Sequence, residues 1–187
     1  MCLNIEKLLR YKIDEYDRPW WPYTAEAWSQ LNTSLSVDSK NNDFKPPSVV
    51  METAAQNKRK SRPLSLDFQT FNQTDKFYVY MYFAEVEKLQ ANQFRQFNIS
   101  LNGQHWSGPH SPVYLEATTV YKTSPLTGEL EYEFSIYKAQ DSSLPPIINA
   151  MEVYKVNELP QQETNQDDGI YVLSKCSFHF VNMVILC

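Results

Sequence analysis

The sequence predicts an all-β fold, an antiparallel two-sheet β-sandwich of jelly-roll type, and three observations carry that prediction. Short segments alternate apolar and polar residues with period two, as in Leu64-Ser65-Leu66-Asp67-Phe68 and Tyr132-Glu133-Phe134-Ser135-Ile136, the pattern of a strand with one buried face. Turn-forming residues separate these segments, among them Pro46-Pro47, Asn102-Gly103, the run from Thr123 to Gly128, and Pro145-Pro146. Helical periodicity is almost absent, which leaves seven or eight short strands as the building blocks. At 187 residues, 42% of them hydrophobic, the chain is long enough for one domain with a sizeable core.

Taken in order, residues 1–23 read as an N-terminal stub and a connecting strap. Pro19 and Pro22 flank Trp20 and Trp21, which favours an extended, anchored segment over a helix. The two tryptophans either plug the edge of the domain or offer a ligand platform. The sandwich itself spans 24–159. Thr24–Leu31 suits a short helical turn, Leu35 and Val37 a brief strand, and Ser48–Ala54 a strand released by Pro46-Pro47. Residues 56–62 hold Lys58, Arg59, Lys60 and Arg62 and read as a solvated loop.

The clearest strand runs from Lys76 to Val86. Phe77, Val79, Met81 and Phe83 share its core face, while Tyr78, Tyr80, Tyr82 and Ala84 share the other. That tyrosine stripe is either packed beneath a loop or displayed in a concavity. Phe97, Ile99 and Leu101 mark the next strand, which ends at Asn102-Gly103. His105 to His110 read as a polar loop around Trp106. Further strands are expected at 113–122, 131–136 and 147–156. Beyond Leu159, residues 160–187 read as a polar linker followed by an atypical apolar tail, a tail that suits truncation better than docking.

Composition narrows function. The formal net charge of -5 argues against nucleic acid, whose phosphates are met by Lys and Arg. The segment 1–15 lacks the apolar stretch of a signal peptide. The tail Ser177–Cys187 is far shorter than the ~20 apolar residues of a membrane span, so no span is expected. Cys2, Cys176 and Cys187 are the only cysteines; with none from 3 to 175, the body has neither a disulfide framework nor a thiolate metal site. His105 and His110 lack the spacing of a zinc motif, and no Gly-x-Ser-x-Gly elbow occurs. Glu131 and Glu133 share a wet strand face rather than opposing one another across a cleft. Neither a catalytic site, a metal nor a cofactor is expected.

Asn32-Thr33-Ser34, Asn72-Gln73-Thr74 and Asn98-Ile99-Ser100 match the N-glycosylation acceptor triplet. Asn32 and Asn72 fall in expected turns. Asn98 lies within a strand and suits a glycan only on a solvent-facing side.

Several compositionally unusual blocks then occur in one order: RYKIDEYDRPWWPY at 10–23, NDFKPPSVVMETA at 42–54, FYVYMYFAEVEKLQANQFRQFNISLNG at 77–103 and LPPIINAMEVYKV at 144–156. Together they resemble the malectin-like region of plant receptor-like Ser/Thr kinases of the leucine-rich-repeat branch. The resemblance covers about residues 10–168, and the segment from Gly169 departs from the family pattern. It implies a strap plus the second of two tandem malectin-like subdomains, placed outside the plasma membrane in the intact receptor. It also implies a non-catalytic module that recognises a carbohydrate, a cell-wall-derived ligand or a peptide. The alternative is an assembly module that contacts receptor or co-receptor ectodomains without a small ligand of its own. Kinase motifs are absent, with no Gly-rich loop, His-Arg-Asp or Asp-Phe-Gly. An aromatic face against sugar C–H groups, with polar rims, is the chemistry such recognition needs. Tyr80, Tyr82, Trp106, His110 and Tyr114 are the candidate ligand contacts on that ground.

Overall fold

The structure, a computed structural model, describes residues 9–157 and 179–184. The linker at 160–168 and the three cysteines lie outside the described residues. Among those described, the chain forms β1 (Leu9–Arg10), β2 (Pro19–Pro22), β3 (Trp28–Asn32), α1 (Ser48–Met51), β4 (Thr53–Asn57), β5 (Leu64–Gln69) and β6 (Phe77–Phe83). There follow β7 (Phe97–Leu101), β8 (Gln104–His110), β9 (Thr118–Tyr121), β10 (Glu131–Lys138), β11 (Ile147–Ile148), β12 (Ala150–Lys155) and β13 (His179–Val184).

The strands form three sheets, ordered β1-β2-β13-β12-β6-β9, β5-β10-β7-β8 and β11-β4-β3. Pairing is antiparallel except where β13 runs parallel to β2. The apolar tail thus enters the largest sheet, with His179 to Val184 registered against Lys155 to Ala150.

Alternation places the core. Val79, Met81 and Phe83 of β6 meet Leu64 and Leu66 of β5, Phe97 and Ile99 of β7, and Tyr132, Phe134 and Ile136 of β10 in one buried cluster. Each such side chain removed from water contributes about 1.5–3 kcal/mol. Trp28, Ala54, Ala55, Ile147 and Ile148 bring the three-stranded sheet into the same core.

Three local expectations are corrected. Thr24–Leu31 holds the start of β3 and no helix. Ser48–Met51 is one turn of helix with Pro47 at its N-cap, and the strand begins only at Thr53; the Pro47 carbonyl accepts from Val50 N and Met51 N, and that turn outweighs the β-preference of Val49 and Val50. His105–His110 belongs to β8 and is no loop. Asn102 and Gly103 both take positive φ (48° and 76°), the two-residue turn that returns β7 directly into β8.

The tyrosine face of β6 is covered by the strap and by residues 37–51. Trp20, Val37, Val50, Met51, Ala84 and Ala150 form a second buried cluster around Tyr82. A polar lock lies at its centre. Arg18 Nη1 donates to Glu152 Oε1 at 3.0 Å, and Arg18 Nε to Asp14 Oδ1 at 3.0 Å. Trp20 Nε1 donates to Asp14 Oδ2 at 2.7 Å, and the hydroxyls of Tyr82 and Tyr154 donate to Glu152 Oε2 at 2.9 and 2.8 Å. Arg18 also reaches the carbonyls of Phe44 and Lys45. The side chains of Arg18, Asp14 and Glu152 are at most 3% exposed. Burial pushes the Glu152 carboxyl up, opposed by the Arg18 charge and the two tyrosine hydroxyls.

A second device turns the chain from one sheet to another. β11 ends and β12 begins around Asn149, which has no exposure. Its Oδ1 accepts from Ala84 N at 2.8 Å, and its Nδ2 donates to the carbonyls of Met51 and Thr53, both at 2.9 Å. One amide thereby binds three backbone groups at the corner, two of these bonds fully buried.

Candidate functional site

β8 ends the four-stranded sheet and β9 ends the six-stranded one. A cleft of about 310 Å³ opens between them, lined by Ser107, His110, Ser111 and Pro112 on one side and by Thr118, Thr119, Val120 and Tyr121 on the other. A second, larger groove of about 600 Å³ lies between the strap and residues 36–48. The Lys45–Glu15 ion pair, 2.8 Å long, stands at that groove.

The β8–β9 cleft combines hydroxyls, an imidazole and an aromatic rim. Ser107 Oγ lies 2.9 Å from His110 Nε2. Half-burial, and then the neighbouring His105, lowers the His110 pKa below its usual 6.5. The ring is therefore neutral at neutral pH and presents one donor and one acceptor. Asn42 and Thr119 exchange hydrogen bonds at 2.8 and 3.1 Å, fixing that wall. Gln96 Nε2 donates to Ser111 Oγ at 3.3 Å.

Tyr121 stands 42% exposed at the rim. Its ring stacks on Tyr80 at 5.5 Å and meets Phe44 edge-on at 4.9 Å. Its hydroxyl has no hydrogen-bond partner among the described residues. The support comes from register: Tyr80 pairs with Tyr121 across β6 and β9, so the two rings share one face.

The five residues expected to touch a ligand are not brought together. His110 lines the cleft, and Tyr80 backs it through Tyr121. Tyr82 is corrected to a core residue, because it has no exposure and its hydroxyl is spent on Glu152. Trp106 is 9% exposed and packs edge-on against Phe134 at 5.2 Å, with Lys122 Nζ 5.9 Å from its ring centre. That ring belongs to the core wall. Tyr114 is 43% exposed, in the segment where it bridges Glu85, and is not among the cleft's lining residues. Tyr121 is the residue the sequence reading missed. Nothing in the run Val113–Lys122 marks it out, and only the Tyr80 pairing shows its place.

Glu131 and Glu133 both project from the outer face of β10, exposed, with Tyr132 buried between them. No cluster of three or more His, Cys, Asp or Glu side chains is placed to hold a metal among the described residues. Nor is any helix among them long and apolar enough to cross a membrane.

The model of the malectin-like domain matches residues 2–156. The chain belongs to the malectin-like family. It is similar to two receptor kinases of Arabidopsis thaliana. One is the LRR receptor-like serine/threonine-protein kinase IOS1, 37% identical over 177 residues, which are 94% of this chain and 20% of the relative. The other is the probable LRR receptor-like serine/threonine-protein kinase MEE39, 39% identical over 172 residues, 90% of this chain and 19% of the relative. The malectin-like chain therefore spans about a fifth of the length of these relatives. It corresponds to their malectin-like ectodomain and not to a kinase domain.

Among solved structures, the extracellular domain of ANXUR1 from Arabidopsis thaliana has the same fold, with a TM-score of 0.60 at 14% identity over 76% of this chain and 43% of that one. A chain from the complex of the plant peptide RALF23 with FER and LLG2 superposes with a TM-score of 0.59 at 16% identity, over 75% of this chain and 44% of that one. These likenesses establish the malectin-like sandwich.

Proposed function

We propose that this chain is a non-catalytic extracellular recognition module whose ligand, a carbohydrate or a peptide, sits in the cleft between β8 and β9. The observation that carries the reading is the pairing of an exposed, ring-supported Tyr121 with His110, Ser107, Ser111 and Thr118 around a cleft of about 310 Å³. A sugar ring or a peptide side chain would stack on Tyr121, while the imidazole and hydroxyls supply directional hydrogen bonds. A malectin-like neighbour found in complex with a peptide and a second protein supports the peptide alternative. Of the five residues expected from sequence, His110 remains a proposed contact and Tyr80 supports the Tyr121 ring.

The test is binding of the full chain, secreted from a eukaryotic host, to glycan and peptide arrays, with His110→Ala and Tyr121→Ala as variants. Specific binding that either variant reduces at least tenfold, with unchanged thermal melting, supports the site. Binding that survives both substitutions places the ligand elsewhere.

The second reading, an assembly module, draws on the other groove. Ile13, 69% exposed, lines it, and Tyr16 and Leu35, 53% and 52% exposed, adjoin its lining residues. Apolar side chains left in water around a groove suit a protein contact. Ile13→Asp would then weaken association with a receptor ectodomain and leave array binding unchanged.

A further inference from the structure

Phe71 is the most exposed large hydrophobic side chain among the described residues, with a relative exposure of 106%. Its ring therefore touches essentially nothing of the protein. The loop that carries it is tightly held. Asp75 N donates to Asn72 O at 3.1 Å, and Gln73 O accepts from Gly128 N at 2.8 Å and from Thr127 Oγ1 at 3.1 Å. Thr70 Oγ1 donates to Asp75 Oδ2 at 2.6 Å, and Asp75 pairs with Lys155 at 2.8 Å. These ties flank Phe71 in sequence and hold the loop backbone that presents its ring to solvent.

The next residue, Asn72, is exposed and opens the triplet Asn72-Gln73-Thr74. Its Oδ1 accepts from Thr74 N at 3.0 Å. This small turn holds the amide oxygen against the backbone, while Nδ2 has no hydrogen-bond partner among the described residues. An acceptor nitrogen and an uncovered ring thus sit on adjacent residues of one fixed loop. The other two triplets lack this pairing. Phe97, before Asn98, has no exposure, and Leu31, before Asn32, is partly buried against the core.

We propose that Asn72 carries an N-linked glycan whose first N-acetylglucosamine lies over the Phe71 ring. In the transfer, Asn72 Nδ2 bonds to C1 of the sugar and loses one proton, while the C1–O bond to the diphosphate of a lipid-linked oligosaccharide breaks. The axial C–H groups of the β-linked sugar present an apolar face, the natural partner for an aromatic ring otherwise left in water. The glycan then covers an apolar spot and stiffens the β5–β6 loop. The inference rests on the extracellular reading proposed above.

The experiment compares four forms of the full chain secreted from eukaryotic cells: unsubstituted, Thr74→Ala, Phe71→Ala and the double variant. Glycopeptide mass spectrometry should find Asn72 occupied where Thr74 is present. Removing the glycan through Thr74→Ala should lower the melting temperature by about 2–4 °C when Phe71 is present and by less than about 1 °C when it is not. The same four chains made in bacteria, which add no glycan, should show no such coupling. An unoccupied Asn72 in the secreted chain overturns the site. Equal losses with and without Phe71 overturn the ring contact. Ligand binding at the β8–β9 cleft is scored separately, so a glycosylated chain that binds nothing counts against the recognition reading alone.

Discussion

Replacing Arg18 by Met should unfasten the strap. The guanidinium is the only cation among the described residues in a lock that also buries Asp14 and Glu152, with side-chain exposures of 3%, 0% and 1%. Met keeps much of the volume but leaves two carboxyl groups without a counter-charge and the carbonyls of Phe44 and Lys45 without their donor. Stripping one partner from a buried ion pair costs about 3–5 kcal/mol. For a chain of this size that corresponds to a fall in melting temperature of roughly 6–20 °C. The pH dependence follows from the sign of the Glu152 shift. Burial already raises this carboxyl above its ordinary value, and Arg18 is the strongest influence holding it down. Without Arg18 it rises further, so the folded state binds a proton that the unfolded state has lost. Stability then falls as pH increases from the ordinary carboxylate range through the raised folded value. Urea unfolding followed by tryptophan fluorescence, with Trp20 hydrogen-bonded inside the lock, should show a smaller deficit at pH 5 than at pH 7.5. A cost below about 1 kcal/mol, or a deficit independent of pH, would refute the reasoning.

Three further outcomes are expected. Asn149→Ala removes the side-chain partner of one backbone N–H and two carbonyls at the sheet corner and should cost at least about 3 kcal/mol in chemical denaturation. Gly108→Ala should cost about 2–4 kcal/mol in the same assay, because Gly108 has φ +127° and a Cβ there would stand 2.7 Å from Asn98 Oδ1 and 2.9 Å from Asn98 Cα. An NMR titration of His110 should have its midpoint below 6.5, as burial and His105 require. With the folded value depressed, the unfolded state binds more protons just below the ordinary pKa, so this histidine costs stability as pH falls through that window.

The fold was legible wherever a strand has one wet face. Leu64, Leu66, Phe134 and Ile136 alternate with polar neighbours and occupy the core as expected, and Asn102-Gly103 marks its turn without help from the rest of the chain. The errors arose where local preference yields to a neighbour. Val49 and Val50 favour a strand, yet Pro47 starts a helical turn there. Gly108-Pro109 punctuates β8 as a loop would, yet Gly108 is a point where the backbone of β8 passes tightly beside Asn98.

The candidate site was less legible, for a physical reason. Tyr80 and Tyr82 occupy the same face of one strand and look alike in sequence. Their fates differ because the strap closes over Tyr82, fixed by an Arg18–Glu152 bond that spans 134 positions, while Tyr80 meets Tyr121 near the open sheet edge. Such long-range contacts leave no mark on local periodicity. Likewise, nothing about Phe71 in the sequence says that the folded chain leaves it bare.

The most direct test of the central claim is a hydrogen-exchange footprint of the full chain with a ligand selected from the arrays. Recognition at the open edge of the sandwich predicts protection at 107–112 and 118–121, with residues 13–15 and 36–48 unchanged. Protection confined to 13–15 and 36–48 would contradict it and move the working surface to the strap groove.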